Sequence, residues 1–409
     1  MNKRTYDAII IGGGLTGLLT TYALSSRGFN VAIVDKSPFT SIKNTKLDFR
    51  TTAISEGSKI FLDKIGIWQN FDRYSEPIKK ILVYDRNETN KIEFENSDKR
   101  SYLGYVIENQ FIKKILLEKI SRKKNVKIIE DKELLDLEIN HICKAILPNN
   151  NEIKSEILIA ADGKNSFVRK LIKTPIFKKS YNHTAIVMNI CHEKHHNNIA
   201  YEIFFKNGPL AILPMKKKLS HRCLSSVIWT HNTDYFQNIE SVDKNLFRLF
   251  IEEQLEKYTG KIHKILNMKA FNLSAHINSN FYNDRLVYVG DAAHSMHPIA
   301  GQGWNVGIRD IENLLHSIEE GVNLGLVLGD NYICKNYHNL SYNDAFSMYQ
   351  ITDKLNSTFL FENFVSKNFR HFGINFINKN KNVKNFISNY AMGKQVRSVK
   401  SNIYNKLFN

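Results

Sequence analysis

Residues 6–24 read "YDAIIIGGGLTGLLTTYAL". Tyr6 to Ile11 is β-prone and apolar enough for a buried parallel strand, and Leu18 to Leu24 carries helical spacing. Between them lies GxGxxG. Gly12 permits a tight turn, Gly14 lets a pyrophosphate approach the backbone, and Gly17 lets the helix pack closely on the strand. Leu15 and Thr16 open a helix whose free N–H groups would face the phosphates. The chain continues "GFNVAIVDK" over residues 28–36, a turn and a second apolar strand, Val31 to Val34, that ends in Asp35 and Lys36. An acidic side chain about 20 positions after the glycines is the acceptor that a ribose hydroxyl pair needs. The stretch predicts a βαβ unit that binds an adenine dinucleotide, with NAD and FAD both open. Its basic start and apolar run mimic a signal peptide, but Asp7, the three consecutive glycines and the lack of a small-residue cleavage site argue against one.

The chain has 409 residues, 43% of them hydrophobic, which is a globular composition long enough for two or three domains. Cys143, Cys191, Cys223 and Cys334 are far apart and form no CxxC pair, so neither a disulfide framework nor a cysteine zinc site is expected and a reducing compartment fits. The formal charge of +17 calls for an anionic partner: nucleic acid, a membrane surface or a cofactor. Because Lys is spread along the chain and not gathered in one arm, nucleic acid is not an expected partner. No apolar run of about eighteen residues occurs, so no transmembrane helix is expected.

Residues 284–310 read "DRLVYVGDAAHSMHPIAGQGWNVGIRD". A strand, Leu286 to Val289, delivers Gly290 and Asp291, and a helix opens after Gly303. The N-terminus of that helix would favour a group that gains negative charge, as the pyrimidine edge of a flavin does on reduction. A further strand, Ile157 to Ala160, ends in the turn of "LIAADGKNSFVRK", residues 158–170.

With these three segments the sequence resembles the class A flavin-dependent aromatic monooxygenases, and among them the ubiquinone-biosynthesis hydroxylases. The resemblance implies that Asp291 serves the flavin ribityl chain and that Pro298, Gly301, Gln302, Gly303, Trp304 and Asn305 lie along the isoalloxazine. It implies that Asp162 and Gly163 serve the flavin and the nicotinamide donor, with Arg169 bracing their loop. "DFRTTAISEGSKIFLDKIGIW" (residues 48–68) and "GYVIENQFIKKIL" (residues 104–116) resemble further blocks of that family and imply cofactor contacts at Arg50 and Gln110. "GPLAILPM", Gly208 to Met215, resembles its substrate-sheet signature, followed by Val227, Ile228 and Trp229.

The implied fold is α/β: a Rossmann-type FAD-binding domain of the para-hydroxybenzoate hydroxylase kind, an inserted β-sheet substrate domain and a C-terminal helical region. The expected divisions are 1–75, 101–180 and 271–340 for the FAD domain, 76–100 and 181–270 for the substrate sheet, and 341–409 for the helical region. The implied chemistry uses noncovalent FAD, NADPH or NADH, and O2 to hydroxylate the ring of a polyprenyl phenol. The cofactor carries most of it. Pocket walls do the specifying, and no acid or base residue is assigned. A hydroxylase of a soluble aromatic, or a catalytically silent FAD-binding subunit of a quinone-synthesis complex, are the alternatives. The expected location is cytoplasmic, with a peripheral site at the inner face of the membrane and other ubiquinone-synthesis proteins as candidate partners.

Several features depart from the pattern or compete with it. Trp304 stands where the family usually has Leu, and Asp35 replaces the commoner Glu. His297 and Pro298 are candidates for the pocket and flavin face, and His294 is a weaker one. "CHEKHH" holds HExxH at His192, Glu193 and His196, but strand-like flanks predict a hairpin with solvated turn histidines, and no metal site is expected. The run from Phe359 to Arg397 interleaves Phe with Lys and Arg, as an interfacial helix or a core helix with a basic outer face would.

Overall fold

The computed structural model describes residues 5–39, 48–85, 91–96, 101–205, 208–216, 222–236, 242–360 and 378–394. The strand Thr5–Ile11 runs parallel to Val31–Val34 on one side and to Asn151–Ala160 on the other. Val126–Ile129 adds beyond Val31–Val34, and Leu286–Tyr288 beyond Asn151–Ala160, all parallel. The sheet therefore grows outward on one side of Thr5–Ile11 and then on the other. The crevice between the carboxyl ends of Thr5–Ile11 and Asn151–Ala160 is the switch point at which such sheets bind ligands. Ala8–Ile11, Val31–Val34 and Ile157–Ala160 are buried throughout, as parallel strands covered on both faces must be. The helix Leu15–Ser25 is buried from Gly17 onward and packs against the helices Asn109–Ser121 and Gly303–Asn323.

A second, eight-stranded sheet is built around two 17-residue strands, Ile176–His192 and Ile262–Asn278, paired antiparallel. Their ladder begins before residue 181 and ends after residue 270, so the sheet is longer at both ends than the expected division. It also reaches the late loop: His276 and Ile277 pair with Ser295 and His294. A third, three-stranded sheet joins Thr51–Ser55, Gly104–Glu108 and Glu76–Ile78.

Strand alternation gives the second sheet two different faces. Ile203, Leu210, Ile212, Val227 and Trp229 pack on Phe247, Ile251 and Leu255 of the helix Lys244–Thr259. The opposite face looks into a cavity.

HExxH does not sit on a hairpin. Ile176–His192 and Ile199–Phe205 are separated in the sheet by Cys223–Asn232 and Gly208–Met215. The two motif histidines are not solvated either: His192 and His196 are buried, with ring nitrogens on Thr259 O, Ser225 Oγ and Met215 O, while His195 is exposed. The connection runs as a crossover past the ends of two strands, and that buries His192 and His196 while Glu193, Lys194 and His195 stay exposed. Among the described residues, no three His, Cys, Asp or Glu side chains gather as metal ligands would.

The helix Asn331–Leu360 packs along Gly303–Asn323. Residues 361–377 and 395–397 of the basic aromatic run lie outside the described residues. The described helix Lys381–Ala391 leads to buried Met392, whose carbonyl accepts the Gly57 N–H at 2.8 Å.

Candidate functional site

Three glycines in the first turn do different work. Gly12 has φ +108°, and a side chain there would meet Ala161 O at 2.4 Å. A side chain on Gly17 would lie 1.8 Å from Gly12 O. At Gly14 nothing lies within 4 Å, and the residue faces the cavity. Gly12 and Gly17 are held by the protein itself, whereas Gly14 leaves room for something else. The helix Leu15–Ser25 starts at Gly14 with no side-chain cap, and Leu15 and Thr16 line the cavity.

Asp35 is engaged beside this turn. It accepts the Gly13 N–H at 2.5 Å and the Ser37 N–H at 2.7 Å, and Lys36 is exposed. The acidic residue expected to meet a ribose thus also holds the glycine loop, and each oxygen keeps acceptor capacity. Neither Asp35 nor Lys36 is part of the cavity wall.

A second helix start converges on the same space. Gly290, at φ +58°, lies so close to Thr16 that a side chain would come within 2.7 Å of its Oγ1. Its N–H donates to Asp310 Oδ2 at 2.9 Å, and that oxygen also meets His294 Nε2 at 2.7 Å. Burial disfavours charge on His294, but Asp310 outweighs it and raises the pKa. The next residue, Asp291, reaches the cavity. Its side chain is open to that space, yet the loops around it desolvate the carboxyl and raise its pKa against the pull of His294, Lys164 and Arg50.

Pro298 and Gly301 to Asn305 line the cavity, and the helix Gly303–Asn323 begins there without a side-chain cap. Asn305 also bolts the loop in place: it accepts the Ser55 N–H at 2.9 Å and donates to Ala53 O at 2.9 Å. The half-buried Trp304 presents a buried Nε1 with no hydrogen-bond partner among the described residues. His297, by contrast, is not in the wall. Its ring packs edge-on against Tyr181 at 4.9 Å, and burial lowers its pKa to about 3. The proline that follows re-aims the chain, so Pro298 reaches the cavity and His297 faces the sheet behind it.

Two other expected residues also point elsewhere. Asp162 Oδ2 accepts the N–H groups of Phe167 and Val168 at 2.7 and 3.0 Å, capping the helix Phe167–Ile172, while Gly163 and Lys164 line the cavity. Arg169 donates to Lys164 O at 2.7 Å and to Ala292 O at 3.2 Å, tying the two loops together. Gln110 turns to Glu108, and its neighbour Asn109 takes the place in the wall, accepting from Thr52 Oγ1 at 2.6 Å. A helix carries only one stripe of residues to a given side, and here that stripe is Asn109 and Lys113.

Arg50 lies on the wall with its guanidinium 5.3 Å from the Phe271 ring centre and both arms on Asp48 at 2.7 Å. Burial alone would raise the Asp48 pKa, but Arg50, Lys113 and Asn109 bring it down to about 2. Asp48, Asn109 and Lys113 escaped the sequence reading, although Asp48 opens the very block that contains Arg50.

The cavity encloses about 1610 Å³ between these loops and the free face of the second sheet. That face is apolar, with Val83, Ala211, Leu213, Ile228 and Val187 on it, and one carboxyl, Glu202. Burial pushes Glu202 up to about 7.

The resulting site has two uncapped helix starts, an open glycine between them and apolar walls beyond. Gly14 fits an FAD pyrophosphate: the one turn glycine with free space beside it is the one a pyrophosphate must approach. Residues 5–323 match the family described as FAD binding domain. The chain belongs to that family. Within the FAD-binding family it is 29% identical over 391 residues to the ubiquinone hydroxylase UbiL of Rhodospirillum rubrum, covering 95% of this chain and 89% of that one. It is 24% identical to the ubiquinone hydroxylase UbiM of Neisseria meningitidis, over 85% of this chain and 76% of that one. Among solved structures, p-nitrophenol 4-monooxygenase PnpA from Pseudomonas putida DLL-E4 superposes with a TM-score of 0.77 at 14% identity, covering 95% of this chain and 98% of that one. The expected class, an FAD-dependent aromatic monooxygenase of the para-hydroxybenzoate hydroxylase fold, is borne out, and the cofactor is FAD.

Proposed function

We propose that this FAD-binding chain hydroxylates the aromatic ring of a polyprenyl phenol in ubiquinone biosynthesis, with NADPH or NADH and O2 as co-substrates. One observation carries the choice of substrate: the cavity continues from the helix starts onto an apolar sheet face, which suits a ring bearing a long hydrocarbon tail.

In this reading Gly14, Leu15 and Thr16 hold the pyrophosphate on a turn that Gly12 and Gly17 shape, and Asp35 meets the ribose. Arg50, Gly163, Asp291, Pro298 and Gly301 to Asn305 surround the flavin. FAD, when bound, supplies the electron transfer and the oxygen activation. The chain's own residues orient the substrate ring and exclude water. The sheet that runs from Lys80–Asp85 and Lys91–Glu95 through Ile199–Phe205, Gly208–Met215 and Cys223–Asn232 to Ile176–His192 and Ile262–Asn278 is the substrate sheet, and the strands around Thr5–Ile11 are the nucleotide unit.

No described helix is long and apolar enough to cross a membrane. With a charge of +17, a peripheral docking on anionic lipid at the cytoplasmic face is the natural route to a membrane-dissolved phenol. The test couples two measurements on purified, FAD-loaded protein: flotation with anionic against neutral vesicles, and NAD(P)H consumption with hydroxylated product for prenylated and unprenylated phenols. Anionic-lipid binding that fades with salt, together with product from the prenylated phenol, supports the proposal. Lipid-independent behaviour with product only from the unprenylated phenol refutes it in favour of a soluble aromatic.

A further inference from the structure

Glu202 stands in an unusual place. In the strand Ile199–Phe205, Tyr201, Ile203 and Phe205 turn toward the helix-covered core, so Ala200, Glu202 and Phe204 face the cavity. Its cross-strand partners are Ala211 on one side and Val83 on the other. Following the same row outward, Ala211 pairs with Ile228, Ile228 with Val187, and Val83 with Ile92. A carboxyl is thus set in a row of aliphatic side chains.

Among the described residues no side chain answers it. Glu202 makes no hydrogen bond or ion pair among the described residues. Among the described residues the other two carboxylates in the cavity wall are Asp48, tied to Arg50 and Lys113, and Asp291, set beside the loop of His294. Among the described residues no histidine lines the cavity. On the strands packed against Glu202, the charged residue of the same face is Asp85, opposite Phe204 and outside the cavity wall. Lys80 and Glu93 pair with each other on the reverse face.

An unanswered carboxyl in an apolar wall is costly unless a ligand supplies the missing donor. On the functional reading above, the ligand is a phenol. We propose that Glu202 accepts the hydrogen bond of the substrate's ring hydroxyl and takes its proton as oxygen is transferred to the ring. The O–H bond breaks, the proton passes to the Glu202 carboxylate, and the electron pair stays on the phenolic oxygen, enriching the ring that attacks. A group with its pKa near 7 suits this exchange, because it is partly ionised at working pH and still basic. The aliphatic row around it receives the rest of the ring and keeps water away.

The test uses the FAD-loaded protein with a prenylated phenol and with its O-methyl ether. Glu202→Gln keeps the side-chain shape and should retain FAD, the melting temperature and phenol binding, the last read from the change in the flavin absorption spectrum. Its hydroxylation rate should fall by about a hundredfold. NAD(P)H oxidation should continue with peroxide in place of product, and the acid limb of the rate profile near pH 7 should vanish. Glu202→Leu should weaken phenol binding by about tenfold or more and leave the methyl ether unaffected. Wild-type coupling and pH profile in Glu202→Gln, with wild-type phenol binding in Glu202→Leu, would overturn the assignment while leaving the function intact. If the unmodified protein forms no hydroxylated product, it is the functional reading that falls, and the role of Glu202 with it.

Discussion

Replacing Asp291 by Ala separates a cofactor role from a structural one. Gly290 beside it is pinned by Asp310 and Thr16, but the Asp291 carboxyl makes no hydrogen bond among the described residues and points into the cavity. A hydrogen bond from a flavin ribityl hydroxyl to a carboxylate contributes about 1.5–3 kcal/mol, and at about 1.4 kcal/mol per decade its loss weakens FAD binding roughly tenfold to a hundredfold. Burial already raises the pKa of this group, so part of that gain is offset by holding the carboxylate ionised, and the lower half of the range is expected. The same burial fixes the sign of the second effect: without FAD, Asp291→Ala should melt at the wild-type temperature or slightly above it. Titration of apoprotein with FAD, followed by quenching of flavin fluorescence, gives the first quantity and apoprotein melts the second. Wild-type FAD affinity, or a collapse of the apoprotein melt, would refute the placement of Asp291 at the cofactor.

Gly14→Val should leave a folded apoprotein that takes up no FAD, because the added side chain meets only open space where the pyrophosphate belongs; Gly17→Val, 1.8 Å from Gly12 O, should yield little soluble protein at all. Arg309 and Asp344 form a buried pair at 2.6 Å, so Arg309→Ala should cost about 3–5 kcal/mol in urea unfolding, and Arg309→Met with Asp344→Leu should recover most of it. His276 and His297 are buried neutral, each with its pKa lowered to about 3 by burial from the ordinary 6.5. A depressed histidine pKa means that the unfolded chain takes up the proton first, so stability present above about pH 6.5 is lost as pH falls toward 3, by roughly 2 kcal/mol per histidine at pH 5. His294, with its raised pKa, acts in the opposite sense. A urea midpoint unchanged between pH 7.5 and pH 5, or the same loss in His297→Asn as in wild type, would contradict these environments.

The nucleotide fold was legible because its signals are local. The strands predicted at Tyr6–Ile11, Val31–Val34 and Leu286–Val289 are observed at Thr5–Ile11, Val31–Val34 and Leu286–Tyr288, and the helix expected after Gly303 runs from Gly303 to Asn323. Ala8–Ile11, Val31–Val34 and Leu286–Val289 are continuous apolar runs, ended by Gly12, Asp35 and Gly290, and buried parallel strands leave that mark whatever covers them. The HExxH segment failed for the converse reason. Alternating flanks with Asn197 and Asn198 between them, both at positive φ, identify a turn but not the partner of each strand. Two intervening strands from later in the chain turned a predicted hairpin into a crossover.

The site was legible where backbone forms it and obscure where side chains do. Gly14, Gly163 and the segment Pro298 to Asn305 reach the cavity because a glycine or proline turn sets the path of the chain itself. Asp162, Gln110 and His297 stand one residue from a wall residue, and one residue is enough to aim a side chain away. Glu202 shows the deeper difficulty. In "IAYEIFF" a glutamate between apolar neighbours has the pattern of a half-exposed strand, with the charge toward water. Both faces of that strand are in fact enclosed, one by the helix Lys244–Thr259 and the other by the cavity, and neither enclosure is written in the strand itself. A lone carboxyl on such a face can be identified only after the sheet has been closed over it, because what distinguishes it from a solvated glutamate is the aliphatic company supplied by Val83, Ala211 and Ile228 from three other strands.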